Sequence, residues 1–323
     1  MKILIVKTSS LGDVIHLLPA LTDAAAVYPD IKFDWVVEEG FQEIPRWHSH
    51  VNRVIPIAWR RWRKNLGQAW RQKQLQEFSK SLRSEHYDKI IDAQGLMKSA
   101  VVACLAKGLR CGLDFTSARE NFASLLYQRR YSVVFEQHAV IRMRQLLAKV
   151  LDYPVSHTQA NYGIHQHFIA NGEANPQRLI FFHGTTWETK KWPEAYWQSL
   201  AKYCVDAGFS IALPWGNEEE RQRAENIATV SPQIEVLPKL PLKDLALLLT
   251  NSAAAVAVDT GLGHLAAALN VPTLSLYGPT DPEQIGTCGD NQYHLRPARS
   301  QSLLELPPEQ VWENLQGIVK SKA

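Results

Sequence analysis

The sequence predicts an α/β protein of two domains, each a parallel sheet covered by helices, and three observations carry that reading. Short apolar runs alternate with longer helical patterns along nearly all 323 residues, as expected for strands buried on both faces. Two of the runs pass through a turn of small residues straight into a helix, one at the start of the sequence and one near residue 259. A polar stretch with Pro154, Asn171-Gly172 and Asn175-Pro176 interrupts the alternation, which then restarts.

In the first half, strands are predicted at Ile3 to Lys7, Phe33 to Val37, Val54 to Ile57 and Lys89 to Asp92. A helix led by Asp13, apolar along Ile15, Leu17, Leu18 and Leu21, runs to Tyr28 and stops at Pro29. A polar helix from about Gln68 to His86 and an amphipathic one after Gly95 follow, with two more near Ala118 to Tyr127 and Glu136 to Leu151. In the second half, strands at Arg178 to Phe182, Phe209 to Leu213, Ile234 to Leu237, Ala254 to Val258 and Thr273 to Leu276 alternate with helices starting near Pro193, Glu218, Leu242 and Leu262. Pro307 to Val319 is a final helix. The predicted boundaries are 1–157, a linker at 158–177, a second domain at 178–303 and a terminal helix at 304–323.

A strand beginning at residue 2 leaves no room for a secretory leader, so the protein is expected in the cytosol. The longest apolar candidate, Leu245 to Val258, is broken by Thr250-Asn251-Ser252 and is too short for a membrane span. Cysteines 104, 111, 204 and 288 form no Cys-x-x-Cys pair and are expected as reduced, buried fillers. His48 with His50, and His165 with His167, could each share a strand face, but no carboxylate or thiol completes a metal site, and no metal is predicted.

Net charge is +3 but unevenly placed: residues 44 to 76 hold eight Lys or Arg and no acid. Trp59-Arg60-Arg61-Trp62-Arg63-Lys64 concentrates four of these cations with two indoles at the end of a strand. Such a loop is either a solvated run or an anion-binding surface. A nucleic-acid role is disfavoured, because the rest of the sequence is net acidic and would repel a long polyanion.

Parallel sheets bind ligands beyond the carboxyl ends of their strands. There, Asp259-Thr260-Gly261-Leu262-Gly263-His264 offers free helix amides to a phosphate. Thr185, Thr186 and Lys190 follow the strand at 178 to 182 and suit a diphosphate, while one of Glu218, Glu219 and Glu220 could accept both hydroxyls of a ribose. Each also has a plain reading, as a tight turn or as acids favouring a helix start. Neither a Gly-x-Gly-x-x-Gly fingerprint nor a Gly-x-x-x-x-Gly-Lys-Ser/Thr loop occurs, which argues against dehydrogenase and P-loop chemistry.

Lys7-Thr-Ser-Ser-Leu-Gly-Asp13-Val-Ile-His16, Lys190-Lys-Trp-Pro193, Asp259-Thr-Gly-Leu-Gly-His264 and Tyr277-Gly-Pro-Thr-Asp-Pro282 resemble the ADP-heptose:lipopolysaccharide heptosyltransferases of glycosyltransferase family 9, over nearly the whole chain. The Trp-Arg-Arg-Trp-Arg-Lys loop is most similar to those members that add the first heptose to the Kdo region of Kdo2-lipid A; a member acting on a later core sugar is the alternative. The resemblance implies a GT-B architecture, two Rossmann-like domains facing a central cleft, with the acceptor in the first and ADP-heptose in the second. It implies an inverting transfer without metal or cofactor, by a cytoplasmic enzyme in peripheral contact with the inner membrane.

Carried over to these residues, the resemblance makes Asp13 the general base, where the bland alternative is a helix cap. It makes Thr185, Thr186 and Lys190 the diphosphate ligands, Asp259 to His264 the donor loop, and Leu240 a nucleotide contact in place of the family's usual methionine. Glu218 is favoured for the ribose. Arg60, Arg61 and Lys64 are expected on the acceptor's carboxylates and phosphates with the indoles at the membrane, and Lys7, Lys98 and Arg119 extend the patch inward.

Overall fold

The computed structural model describes residues 1–168 and 174–320; residues 169–173 of the predicted linker and the last three residues of the terminal segment lie outside the described residues. Two compact units divide between Gly163 and Ile164.

In the first unit the strands β1 (Lys2–Val6), β2 (Lys32–Glu38), β3 (Val51–Ile57), β4 (His86–Asp92), β5 (Lys107–Leu113) and β6 (Arg129–Tyr131) form one sheet in the order β3-β2-β1-β4-β5-β6. In the second, β7 (Asn175–Phe182), β8 (Ser210–Leu213), β9 (Ile234–Val236), β10 (Ser252–Val258), β11 (Thr273–Leu276) and β12 (Gln292–Leu295) repeat that order as β9-β8-β7-β10-β11-β12. All neighbours pair in parallel. Strand order therefore reverses between β1 and β4 and between β7 and β10, and the loops leaving those strands open onto a crevice in each sheet.

The central strands are apolar because helices cover both faces: Ile3, Leu4, Ile5 and Val6 are fully buried, as are Ala254 to Ala257. In the second unit Trp192 and Trp197 pack edge to face beside Phe181. In the first unit, Trp35 donates its indole N–H to the Lys7 carbonyl, which anchors the end of β1.

Several predicted elements differ. The helix expected at Gln68 to His86 is two, Leu66–Arg71 and Gln74–Arg83, broken at Lys73 with its positive φ of 56°, and His86 already belongs to β4. Ala118 to Tyr127 is a 3-10 segment, Asn121–Leu126. The first helix starts at Leu11, two residues before Asp13. β5, β6 and β12 were not predicted; glycines and charges at Lys107, Gly108, Arg110 and Gly112 hide the apolar residues of β5. Gly112 is required there, since a Cβ would lie 2.4 Å from the Tyr127 ring.

The Leu11–Val27 and Ala139–Leu151 helices are joined by a buried ion pair, in which Arg144 donates to both oxygens of Asp23 at 2.6 and 3.0 Å and to the Thr158 carbonyl at 2.7 Å. Removing one partner strands the other charge out of water. Arg144→Ala is expected to destabilise the first unit by about 3 kcal/mol, measured by denaturant unfolding.

Candidate functional site

At the reversal point of the first sheet, the β1 carboxyl end leads through Thr8 and Ser9 into the Leu11–Val27 helix. Gln94, just beyond β4, accepts the Thr8 and Ser9 amides on its Oε1 at 3.0 and 3.2 Å. Asp92 holds that loop in turn, accepting the Gln94 and Gly95 amides on Oδ1 and the Tyr127 hydroxyl on Oδ2 at 2.7 Å. Burial pushes the Asp92 carboxyl above its ordinary range, against those hydrogen bonds.

Asp13 stands at the third helical position, with Ser10 as cap. Its Oδ2 accepts from the Ser10 amide at 2.8 Å and the Ser10 hydroxyl at 3.0 Å. The other oxygen, Oδ1, lies 3.9 Å from the Lys7 ammonium, and the side chain keeps 31 % exposure. Burial pushes its pKa up, but Lys7, the two Ser10 hydrogen bonds and Arg119 together leave it below the usual carboxylate value. Asp13 thus stays ionised with one oxygen uncommitted to the cap. Capping and proton acceptance are compatible at this residue, not alternatives.

Lys7 is buried, donating to the Ala93 carbonyl at 2.9 Å; burial lowers its pKa against the pull of Asp13 and Asp92. It lies inward of the surface, 3.9 Å from Asp13. Arg119 is exposed and Lys98 half-buried. In the basic loop, Arg61 is held by both oxygens of Glu39, Arg60 stacks over Phe41, and Lys64 is exposed. Only one of the loop's indoles reaches solvent: Trp62 is core, edge to face against Phe78, while Trp59 is partly exposed.

At the reversal point of the second sheet, Asp259 is the hub. Its Oδ2 accepts from Lys190 and from Thr280, each at 2.5 Å, and its carbonyl accepts the Thr185 hydroxyl at 3.2 Å. The loops after β7, β10 and β11 meet on this residue. Thr260 follows as cap of the Gly261–Ala268 helix without a side-chain bond to its amides. A Cβ on Gly263 would lie 3.2 Å from the Ala257 methyl, and His264 is buried. Thr186 is exposed and Leu240 half-buried after β9. The Trp215 indole N–H donates to the Leu237 carbonyl at 2.6 Å, bringing the loops after β8 and β9 together.

The three glutamates separate cleanly. Glu218 is exposed and paired with Arg221, and Glu219 with Lys191. Glu220 alone turns toward the strand ends: it accepts the Gly216 amide at 2.7 Å, and its carboxyl carbon lies 2.7 Å from where a Gly184 Cβ would stand. Gly184 therefore keeps the carboxylate accessible over β7. Thr280 stands in the Tyr277-Gly-Pro-Thr-Asp-Pro282 motif but was given no role of its own from the sequence; its bond to Asp259 brings it into this cluster.

Among the described residues no group of three or more His, Cys, Asp or Glu side chains could hold a metal ion. His165 and His167 lie on a 3-10 turn, not a strand, and His48 is bound to the Thr22 hydroxyl with burial pushing its pKa down to about 4. Cys111 and Cys204 are buried as expected, whereas Cys104 is exposed and Cys288 intermediate. No helix among the described residues is long and apolar enough to cross a membrane.

Two sheets of this strand order, each with polar side chains gathered at its reversal point, define the GT-B class of nucleotide-sugar enzymes, two Rossmann-type units in one chain. The pattern of glycosyltransferase family 9 (heptosyltransferase) matches residues 75–307. The lipopolysaccharide heptosyltransferase 1 of Pseudomonas aeruginosa is 54% identical over 296 residues, covering 91% of this chain and 83% of that one. The structure of Escherichia coli heptosyltransferase WaaC with ADP is 46% identical with a TM-score of 0.95, covering 98% of this chain and 100% of that one. Its counterpart with ADP-2-deoxy-2-fluoro heptose has a TM-score of 0.91, at 46% identity and coverage of 98% and 99%. This chain belongs to glycosyltransferase family 9, the heptosyltransferases, and is a transferase.

The ion pair at Asp259 sets a test of whether these loops hold a nucleotide diphosphate. Lys190→Ala removes a charge-assisted hydrogen-bond donor, and ADP affinity should fall roughly 10- to 100-fold by calorimetry, with the melting transition retained.

Proposed function

We propose that this chain is an inverting glycosyltransferase that moves L-glycero-D-manno-heptose from ADP-heptose to the Kdo region of Kdo2-lipid A, in the lipopolysaccharide inner core. It acts in the cytoplasm, in peripheral contact with the inner membrane. The observation that carries the reading is the near-full-length likeness to an enzyme solved with ADP-2-deoxy-2-fluoro heptose. The cluster of Lys190, Thr185 and Thr280 on Asp259 supports it independently.

The second unit holds the donor. Displacing ADP from the anomeric carbon builds negative charge on the diphosphate, which Lys190 and the amides at Gly261 to Gly263 stabilise more in the transition state than before it. Lys190 exchanges its Asp259 partner for the diphosphate, and Thr185 and Thr186 add hydroxyl donors. Glu220, not Glu218, takes the ribose, since Glu220 alone faces the strand ends. Leu240 and Trp215 supply apolar surface for the base. Asp13 accepts the proton of the incoming Kdo hydroxyl as that oxygen bonds to the anomeric carbon and the bond to ADP breaks, inverting the centre. Arg60, Arg61, Lys64, Lys98 and Arg119 answer the acceptor's carboxylates and phosphates.

ADP release from ADP-heptose, with and without Kdo2-lipid A, tests the reading: release should require the acceptor. Asp13→Asn should keep the fold and ADP affinity, because asparagine still accepts from Ser10, while kcat falls by about 10²- to 10⁴-fold. A near-normal rate removes Asp13 from the chemistry.

Lys7→Met should move the acid limb of kcat/KM to higher pH. Asp13 works ionised, Lys7 is the foremost influence holding its pKa down, and without that cation more of the enzyme is protonated at a given acidic pH. An unmoved limb would break the Lys7–Asp13 link.

A further inference from the structure

The Met97–Leu105 helix packs against the Asn121–Leu126 turn through Ala100 and Ala123, with Tyr127 and Leu126 alongside. Beneath that contact the packing is closed, but the outward faces of both elements are apolar. Met97, Val101 and Leu105 recur along the exposed side of the helix, and Phe122 and Leu125 stand out from the turn at 66% and 60% exposure. Phe115 adds its ring edge to face on Phe122 at 5.9 Å. Six large apolar side chains thus share one exposed region, where a soluble surface ordinarily scatters them singly.

The surroundings of this face select its occupant. Residues 97 to 131 hold six Lys or Arg against two acids, and both acids are engaged locally. Glu120 accepts the Met97 amide at 2.6 Å, and Asp114 accepts from Thr116 and Ser117 in its own turn. Arg110 and Arg130 donate to the Leu126 and Ser124 carbonyls, which sets a guanidinium on either side of Leu125 in the chain. Arg119 lies between Phe115 and Phe122 in sequence and also bears electrostatically on Asp13, so the face continues into the proposed acceptor region. Apolar side chains rimmed by cations match an anionic lipid surface, with acyl chains below and phosphates at the rim.

We infer that this face, and not the indoles of the 59–64 loop, is where the protein docks on an anionic lipid bilayer. Trp62 is core, so of that loop's two indoles Trp59 alone is left to meet hydrocarbon, against six apolar side chains on this face. The inference deepens the proposed function, by giving the lipid-linked acceptor's membrane a seat on the first unit, and it is tested without turnover.

The experiment is sedimentation of the full chain with phosphatidylcholine vesicles with and without phosphatidylglycerol. The wild-type chain should sediment with the anionic vesicles in a salt-sensitive manner. The double variant Phe122→Ser, Leu125→Ser should lose roughly 100-fold in partitioning, about tenfold per side chain withdrawn from lipid. Both positions are exposed, so its melting temperature should match the wild type, and the single variant Phe122→Leu, which keeps an apolar side chain there, should bind as the wild type does. Equal sedimentation of the double variant overturns the inference, as does absence of wild-type binding. It is equally overturned by a wild-type dimer in sedimentation velocity that the double variant dissolves, since a second copy would then cover the face. Heptose transfer plays no part in the readout, so its failure would count against the enzymatic reading alone.

Discussion

The second unit depends on one carboxylate. Asp259 ends β10 beside the point where strand order reverses, and it binds Lys190 from the loop after β7 and Thr280 from the loop after β11. Three excursions from three parallel strands are thereby brought to a common place. Its side chain is only 8% exposed, so the ion pair sits where solvent screening is weak and attraction is correspondingly strong. Lys190 is thus held in one position by the protein itself, an ordered cation rather than a freely rotating one.

The first unit solves a different problem, that of keeping a carboxylate ionised while most of its surroundings are protein. Burial alone would favour the neutral acid; the Lys7 ammonium and the Ser10 donors reverse that. Lys7 is itself held by the Ala93 carbonyl, so the balance rests on the ends of β1 and β4 keeping their register. A helix start, a strand end and an ionised carboxylate are here one construction.

Much of this was legible in the sequence because the central strands are continuous apolar runs, and the residues after them fall at the ligand-facing edge. Lys190 and Asp259 were picked out that way, and the structure pairs them with each other. The peripheral strands β5, β6 and β12 were not, since Arg129-Arg-Tyr131 and Gln292-Tyr-His-Leu295 carry polar side chains that mask the extended pattern. Glu220 was not separable from Glu218 by composition: helical rotation decides which acid of three faces the strand ends, and only the Gly216 amide reveals it. Trp62 misled for a related reason, because an indole between arginines looks amphipathic until Phe78 is seen packed against it.

The space left by Gly112 admits the Tyr127 ring, and its consequence reaches well past local packing. Tyr127 follows the turn that bears Phe122 and Leu125, and its hydroxyl is bonded to Asp92; Asp92 holds Gln94, and Gln94 holds Thr8 and Ser9, the residues that precede Ser10 and Asp13. Pressure on the outer turn cannot be relieved without either moving this strut or rupturing a buried hydrogen bond, at about 1–3 kcal/mol. The outside of the first unit is in this way braced, bond by bond, against the mouth of its own crevice.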